Sequence, residues 1–260
     1  MNRTNGNTQS GGIEVVAFDG DDTLWHSESH FVDAHERFVA LVAPYVDGDP
    51  GVIDGRVVDT ERTNLAIYGY GAKAFTLSLI ESAIELTGGR ITSREISAIL
   101  DLGKGLLGHP IELLDGVADV VAELAETGRR LIVVTKGDLF HQEAKVAGSG
   151  LSERFARVEI VSEKNVATYR RVMEGAEVAP QNFLMIGNSV RSDVLPVVDL
   201  GGHAAHLPYV YTWELEHVPD ADAERQGFHE LTSIRELPGL VERLSATVGA
   251  RAVGSPSRAD

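Results

Sequence analysis

The chain has 260 residues, 43% of them hydrophobic, enough for one large domain or a core carrying a smaller insert. Its 39 acidic and 23 basic residues leave a formal net charge of -16, which opposes unassisted approach to nucleic acid or an anionic membrane, so neither is expected as a partner. There is no cysteine, which excludes disulfides, thiolate metal sites and a cysteine nucleophile and fits the reducing cytoplasm in which the chain is expected to work.

Residues 1–12, MNRTNGNTQSGG, are polar, lack the apolar centre of a signal peptide and are expected to form a flexible tail. No later apolar run approaches the roughly 18 residues of a membrane span. The run 13–18 predicts a β-strand, and it ends in two carboxylates one residue apart, Asp19 and Asp21, followed by Thr23 and Leu24. Residues 28–109 then break the pattern with helix-like segments, HFVDAHERFVALV, AKAFTLSLIESAIELTG and TSREISAILDLGKGLL, each apolar at three-and-four spacing. A helical insert beside the carboxyl end of a sheet would serve as a lid, the alternative being plain covering of the sheet. Within it, Gly69, Tyr70, Gly71 and Lys73 in YGYGAKAF read first as a helix start, and second as a hinge or substrate-facing loop.

From residue 110 onward strands and helices alternate. Helices are predicted over 116–127, 138–147, 164–174 and 191–200, and strands over 130–134, 157–161, 183–186 and 202–207. The strands are short and continuously apolar, as strands covered on both faces are. Alternation of this kind gives a parallel sheet with right-handed crossovers. The fold expected is therefore α/β, a Rossmann-like parallel core over 13–27 and 110–247 with the helical insert between its halves. Tyr209, Tyr211 and Trp213 follow the fifth strand, and packing beneath a loop is preferred there to lining a site entrance. Residues 248–260 read as a second flexible tail.

Four strand ends carry polar residues suited to one another. Asp19, Asp21 and Thr23 follow the first strand, and Thr135 and Lys136 follow the second. Lys164, in VSEKN, lies past the third, and GNSVRSD, with Asn188, Ser189 and Asp193, follows the fourth. In this order, DxDxTL, a strand-terminal Thr, a Lys and G-N-S-xxx-D, the chain resembles the haloacid dehalogenase-like (HAD) hydrolase superfamily from Ile13 to about Pro208. The insert stands where that superfamily carries a C1-type cap.

The resemblance implies roles that elementary chemistry makes sensible. A phosphate monoester is an anion, so a carboxylate attacks it only where a metal and cationic or hydrogen-bonding groups neutralise charge. Asp19 matches the nucleophile that forms an aspartyl-phosphate, and Asp21 the general acid/base that serves the leaving alkoxide and then water. Thr135 would donate its hydroxyl to a phosphoryl oxygen, and Lys164 would neutralise nucleophile and phosphoryl group, with Lys136 and Lys145 as competitors for that cationic role. The implied cofactor is Mg2+, which suits an oxygen-only site. Asp19 would supply a side-chain oxygen and Asp21 its main-chain carbonyl. At the fourth motif many relatives carry an acid where this chain has Asn188. Either Asn188 ligates with Asp193 behind it, or Asp193 reaches the ion itself or through water. Asp22, between motif positions, reads as solvent-facing or as a structural cap. The nine histidines show no metal-ligand spacing.

Asp21 separates the members of the superfamily. The 2-haloacid dehalogenase branch shares features of the G-N-S-xxx-D segment but needs neither a leaving-group acid nor magnesium, and its second position in the first motif is not normally aspartate. The expectation is a phosphatase-type, magnesium-dependent hydrolase of a small phosphorylated metabolite. A phosphomutase, a 2-haloacid dehalogenase and a catalytically quiet metal-binding interaction module are the alternatives.

Overall fold

In the computed structural model, which describes residues 12–47, 51–217 and 227–253, the five apolar runs form one parallel sheet. Its strands are β1 (Val15–Phe18), β2 (Arg130–Lys136), β3 (Arg157–Val161), β4 (Phe183–Gly187) and β5 (His203–His206). A two-residue strand, β6 (His229–Glu230), adds to β5, giving the order β3-β2-β1-β4-β5-β6. Residues 1–11 and 254–260, most of the expected tails, lie outside the described residues.

The strands read as continuous apolar runs because both faces of the sheet are covered. Side chains alternate between the faces. Val16 and Phe18 of β1, Leu131 and Val133 of β2, and Leu184 and Ile186 of β4 join one core with α5 (Val117–Glu126) and the C-terminal helix α9 (Leu237–Val253). Val15 and Ala17, Ile132 and Val134, and Phe183 and Met185 join the other, with α7 (Val166–Gly175) and α8 (Leu195–Val198). The sixth strand and α9 were not expected from the sequence, and α9 makes helix of residues 248–253, which had read as tail. Leu237, Leu240, Val241 and Leu244 are its buried stripe, at three-and-four spacing.

Two other departures have local causes. The helix expected over 191–200 is instead a wide π turn, Val190–Val194, followed by the single turn α8, with Pro196 in its first turn. The helix expected over 164–174 starts at Val166, where Asn165 caps it by accepting from the Thr168 amide, so Lys164 stays on the loop before it.

The insert consists of four helices: α1 (Glu28–Val42), α2 (Gly51–Tyr68), α3 (Ala72–Leu86) and α4 (Ser93–Leu107). They have a core of their own, built on Phe38, Ile53, Val57, Leu79 and Ile99. A capping box between Thr92 and Glu95 starts α4. Helix α2 has a weak apolar signature because its buried face includes Thr60 and Asn64; the Asn64 amide donates to Ser78 and Glu81 of α3. Helices α3 and α4 cross at Gly103, where a Cβ would lie 2.0 Å from Thr76 Oγ1 and 2.8 Å from its Cγ2.

At the centre of the sheet, β1 pairs with β2 on one side and β4 on the other, Phe18 lying level with Val133 and Ile186. The chain runs outward from β1 through β2 to β3, then returns across β1 to β4 and runs outward the other way. The connections leaving β1 and β4 therefore diverge, and they open a crevice at the carboxyl ends where ligands bind in such sheets. Among the described residues no helix is long and apolar enough to cross a membrane.

Gly103→Ala is expected to destabilise the helical insert by roughly 1–3 kcal/mol through overpacking against Thr76. The measurement is chemical denaturation followed by circular dichroism, and an unchanged midpoint would show that the two helices separate at little cost.

Candidate active site

Asp19 is the first residue beyond β1, and its amide donates to the Ile186 carbonyl of β4 at 2.8 Å, which fixes it in the crevice. Lys164 lies between two carboxylates: its Nζ is 2.5 Å from Asp19 Oδ1 and 2.6 Å from Asp193 Oδ1. Asp193 is fully buried, and Ser189 N donates to its other oxygen at 3.1 Å, with the Tyr169 hydroxyl 3.4 Å from Oδ1. Room for that carboxylate depends on Gly187, where a Cβ would lie 2.1 Å from Asp193 Oδ2. Burial pushes the Asp19 carboxyl up to about 7, against the pull of Lys164 and with the help of Asp193. Burial works against the Lys164 ammonium too, but Asp19 and Asp193 outweigh it and raise its pKa.

With its groups ionised this trio carries one excess negative charge. Asp19 lines the cavity, and its Oδ2 has no hydrogen-bonding partner among the described residues. Asn188 lines the same cavity from the end of β4; among the described residues only its main-chain oxygen is engaged, with His206 Nε2 at 3.1 Å. Among the described residues no three His, Asp or Glu side chains are grouped as metal ligands. A cation here would therefore draw on one carboxylate, main-chain oxygen and an amide, a donor set that fits a hard ion.

The second carboxylate is held differently. Asp21 accepts from Trp25 Nε1 at 2.6 Å, Lys145 Nζ at 2.7 Å and Gln142 Nε2 at 3.0 Å. Burial alone would raise its pKa, but the charge of Lys145 and these hydrogen bonds hold it below the ordinary value. Gln142 and Lys145 are three residues apart on α6 (Leu139–Gly148), and so share one face of it. Asp138 caps that helix by accepting from the His141 amide.

The remaining positions fall into place around these. Thr135, near the end of β2, is 1% exposed and lines the cavity; Gly20 leaves room for it, since a Cβ there would be 3.2 Å from Thr135 Oγ1. Asp22 is a structural cap: at φ 62 it turns the chain and accepts from Ser27 N and Glu28 N where α1 begins. Of the competing lysines, Lys145 serves Asp21 and Lys136 goes elsewhere, to Glu216, to Ser192 Oγ at 3.0 Å and over the Tyr70 ring at 4.1 Å.

The insert closes over the crevice, leaving a cavity of about 560 Å³ between the two layers. The YGYG segment is the loop of the second reading as well as a helix start. Gly69 and Gly71 have φ of 72° and 109°, Tyr70 donates to Glu163 at 2.8 Å, and Lys73 pairs with Asp138 at 2.9 Å. Tyr211 and Trp213 line the cavity instead of packing beneath a loop, and Trp213 meets the Tyr70 ring edge-on at 5.8 Å. Gln142, Glu216 and the insert's Glu28 and Glu61 were not anticipated. Only Gln142 had a readable signal, its position one turn before Lys145.

A family profile for haloacid dehalogenase-like hydrolases matches residues 13–200. The chain belongs to that family. A solved HAD-like hydrolase from Xanthomonas campestris is 41% identical to this one, with a TM-score of 0.82 over 92% of this chain and 95% of its own. A predicted phosphoglycolate phosphatase from Haemophilus somnus is 16% identical, with a TM-score of 0.59 over 90% of this hydrolase and 99% of its own chain. The L-2-haloacid dehalogenase of Xanthobacter autotrophicus is 17% identical, with a TM-score of 0.59 over 88% and 98%. These last two share the fold, and their names cover both chemistries. No curated protein sequence matches this hydrolase.

Lys164→Met is expected to cost about 3–5 kcal/mol by leaving two buried carboxylates without their cation, as read by denaturant unfolding. Three carboxyls on the cavity should also contribute stability that falls with rising pH. Burial pushes Asp22 and Glu61 up to about 7 and Glu28 up to about 8, from ordinary values of 3.8 for Asp22 and 4.5 for the glutamates. The folded state then keeps protons that the unfolded chain has lost, so this stability is complete below about pH 4 and disappears as pH rises through about 7–8. Glu61→Gln should raise the melting temperature relative to the parent more at pH 8 than at pH 5; parallel curves would contradict the assignment.

Proposed function

We propose that this HAD-like hydrolase cleaves small phosphate monoesters through an aspartyl-phosphate intermediate. The observation that carries the reading is the pairing of Asp19 and Asp21 on one cavity, the first with an unengaged oxygen and the second available for proton handling. A halide leaves without a proton, so the leaving-group task of the second carboxylate has no counterpart in dehalogenation. The insert's share of the cavity wall also contains no Lys or Arg to receive the carboxylate of a 2-haloacid.

In the first half-reaction Asp19 Oδ2 attacks phosphorus, the ester P–O bond breaks, and the departing alkoxide takes a proton from the protonated form of Asp21 to become the alcohol. Lys164 holds Asp19 through its other oxygen, leaving Oδ2 to react, while Thr135 donates to a phosphoryl oxygen. In the second half-reaction a water attacks phosphorus, the acyl-phosphate P–O bond breaks, and inorganic phosphate leaves with the Asp19 carboxylate restored. Asp21 accepts the water's proton. Its resting hydrogen bonds to Lys145, Gln142 and Trp25 keep it ionised, so serving the leaving group requires protonation and a turn away from α6.

The cofactor expected is Mg2+, held by the Asp19 carboxylate, the Asp21 main-chain carbonyl and the Asn188 side-chain oxygen, with Asp193 behind them tied to Lys164 and the Ser189 amide. When bound, it supplies positive charge against the phosphoryl oxygens. Asn188, where many relatives carry an acid, keeps the donor set less negative.

Phosphate release from p-nitrophenyl phosphate is expected with magnesium and is expected to stop in EDTA. Asp19→Asn should abolish turnover, and Asp21→Asn should lower kcat by about 10²–10⁴-fold. No release across a broad phosphoester panel, with chloride released from 2-chloropropionate instead, would overturn the reading in favour of dehalogenation.

A further inference from the structure

Most charges on the cavity wall are matched within the protein. Lys164 serves Asp19 and Asp193, Lys145 serves Asp21, Lys136 serves Glu216, and His35 meets Asp54. Glu36 and Glu214 are solvent-exposed. Asp22 is held by the Ser27 and Glu28 amides, and two half-buried carboxylates remain, Glu28 at the start of α1 and Glu61 on α2, both on the wall contributed by the insert.

Neither has a cationic partner among the described residues. The Trp213 indole donates to Glu61, and the side chain of Glu28 accepts nothing. Glu28 lies within the electrostatic reach of three acids, Asp22, Glu61 and Asp21, and of one cation, Lys145, whose pull is the weaker. A third free acceptor is independent of these acids. Gln142, 2% exposed, lines the same cavity and gives both its amide hydrogens to Asp21 and the Lys136 carbonyl, while its Oε1 has no partner. A buried acceptor without a donor is costly.

The unfilled demand of this wall is therefore for hydrogen-bond donors with positive charge. Phe31, Val57 and Phe75 supply apolar surface beside it, and Trp213 supplies an aromatic ring. An anionic substituent would meet two acids that lack counter-ions, and no Lys or Arg on the insert's side.

We infer that the leaving group accommodated here carries an ammonium, making aminoalkyl phosphate monoesters the preferred substrate class, with the phosphoryl group at Asp19 and the ammonium at Glu28 and Glu61. This rests on the phosphoester-hydrolase reading above.

The test uses the intact protein with magnesium and three matched series, ω-aminoalkyl, n-alkyl and ω-carboxyalkyl phosphates of about two to five carbons. The best aminoalkyl phosphate is expected to exceed the alkyl phosphate of equal length by about tenfold or more in kcat/KM, with the carboxyalkyl series poorest. Glu61→Gln and Glu28→Gln should each move the amino-to-alkyl ratio towards one. Equal kcat/KM values in the parent, or a ratio unchanged in both variants, would overturn the inference. Calorimetric titration with ω-aminoalkylphosphonates and alkylphosphonates separates it from the reading beneath it, because binding needs no turnover. Tighter amino binding with no phosphate released from any ester, p-nitrophenyl phosphate included, would sink the hydrolase reading and uphold the ammonium preference. Phosphate release with equal phosphonate affinities would do the reverse.

Discussion

One buried ammonium organises this molecule: Lys164, 4% exposed, lies between Asp19 after β1 and Asp193 after β4. Without it two carboxylates would face each other at the carboxyl ends of adjacent central strands, out of reach of bulk water. With it, one oxygen of Asp19 is fixed and the other left unengaged. The same contact ties the loop before α7 to the first and fourth strand ends, so the geometry of the candidate site and the integrity of the sheet's carboxyl edge depend on one ion network. Gly187 belongs to that dependence, because only a residue without a side chain leaves space for Asp193.

The network is incomplete in charge by design of its parts. Two carboxylates share one lysine, and that excess is what a hard cation, or the cationic surroundings of a phosphoryl group, would answer. Asp21 sits in the opposite regime, beside Lys145 and fed by two further donors. Two aspartates one residue apart are thus set to different tasks by their neighbours, the first raised in pKa by burial and the second lowered because Lys145 and its hydrogen bonds outweigh burial. The insert adds a third environment. Glu28 and Glu61 lie on the cavity wall without counter-ions, at a cost to stability that a folding requirement does not explain and a cationic ligand would offset.

Much of this was legible in sequence because it is local. Each apolar run from β1 to β5 is bounded by turn residues, and the polar residue that ends a parallel strand is fixed at the sheet's carboxyl edge by the strand's direction. That placed Asp19, Thr135 and Asn188 without any knowledge of the packing between elements. The weakly amphipathic α2 was harder to read, since its buried face is finished by Thr60 and Asn64, which pair with α3 only after the helices have met. The stripe of α9 was readable, but its continuation past residue 247 was masked by a composition that resembles a tail.

What the sequence determined by itself was the layered α/β core, the interruption after the first strand, the family and the residues at the strand ends, because periodicity and motif spacing are properties of neighbouring residues. Tertiary structure alone decided which lysine serves which aspartate, that Asp22 caps α1, and that Tyr211 and Trp213 face the cavity. It also decided that Glu28 and Glu61 lack counter-ions. Those outcomes depend on distances between side chains as much as 145 positions apart, as Asp19 and Lys164 are, and such distances exist only once the sheet has formed and the helices have closed over its edge.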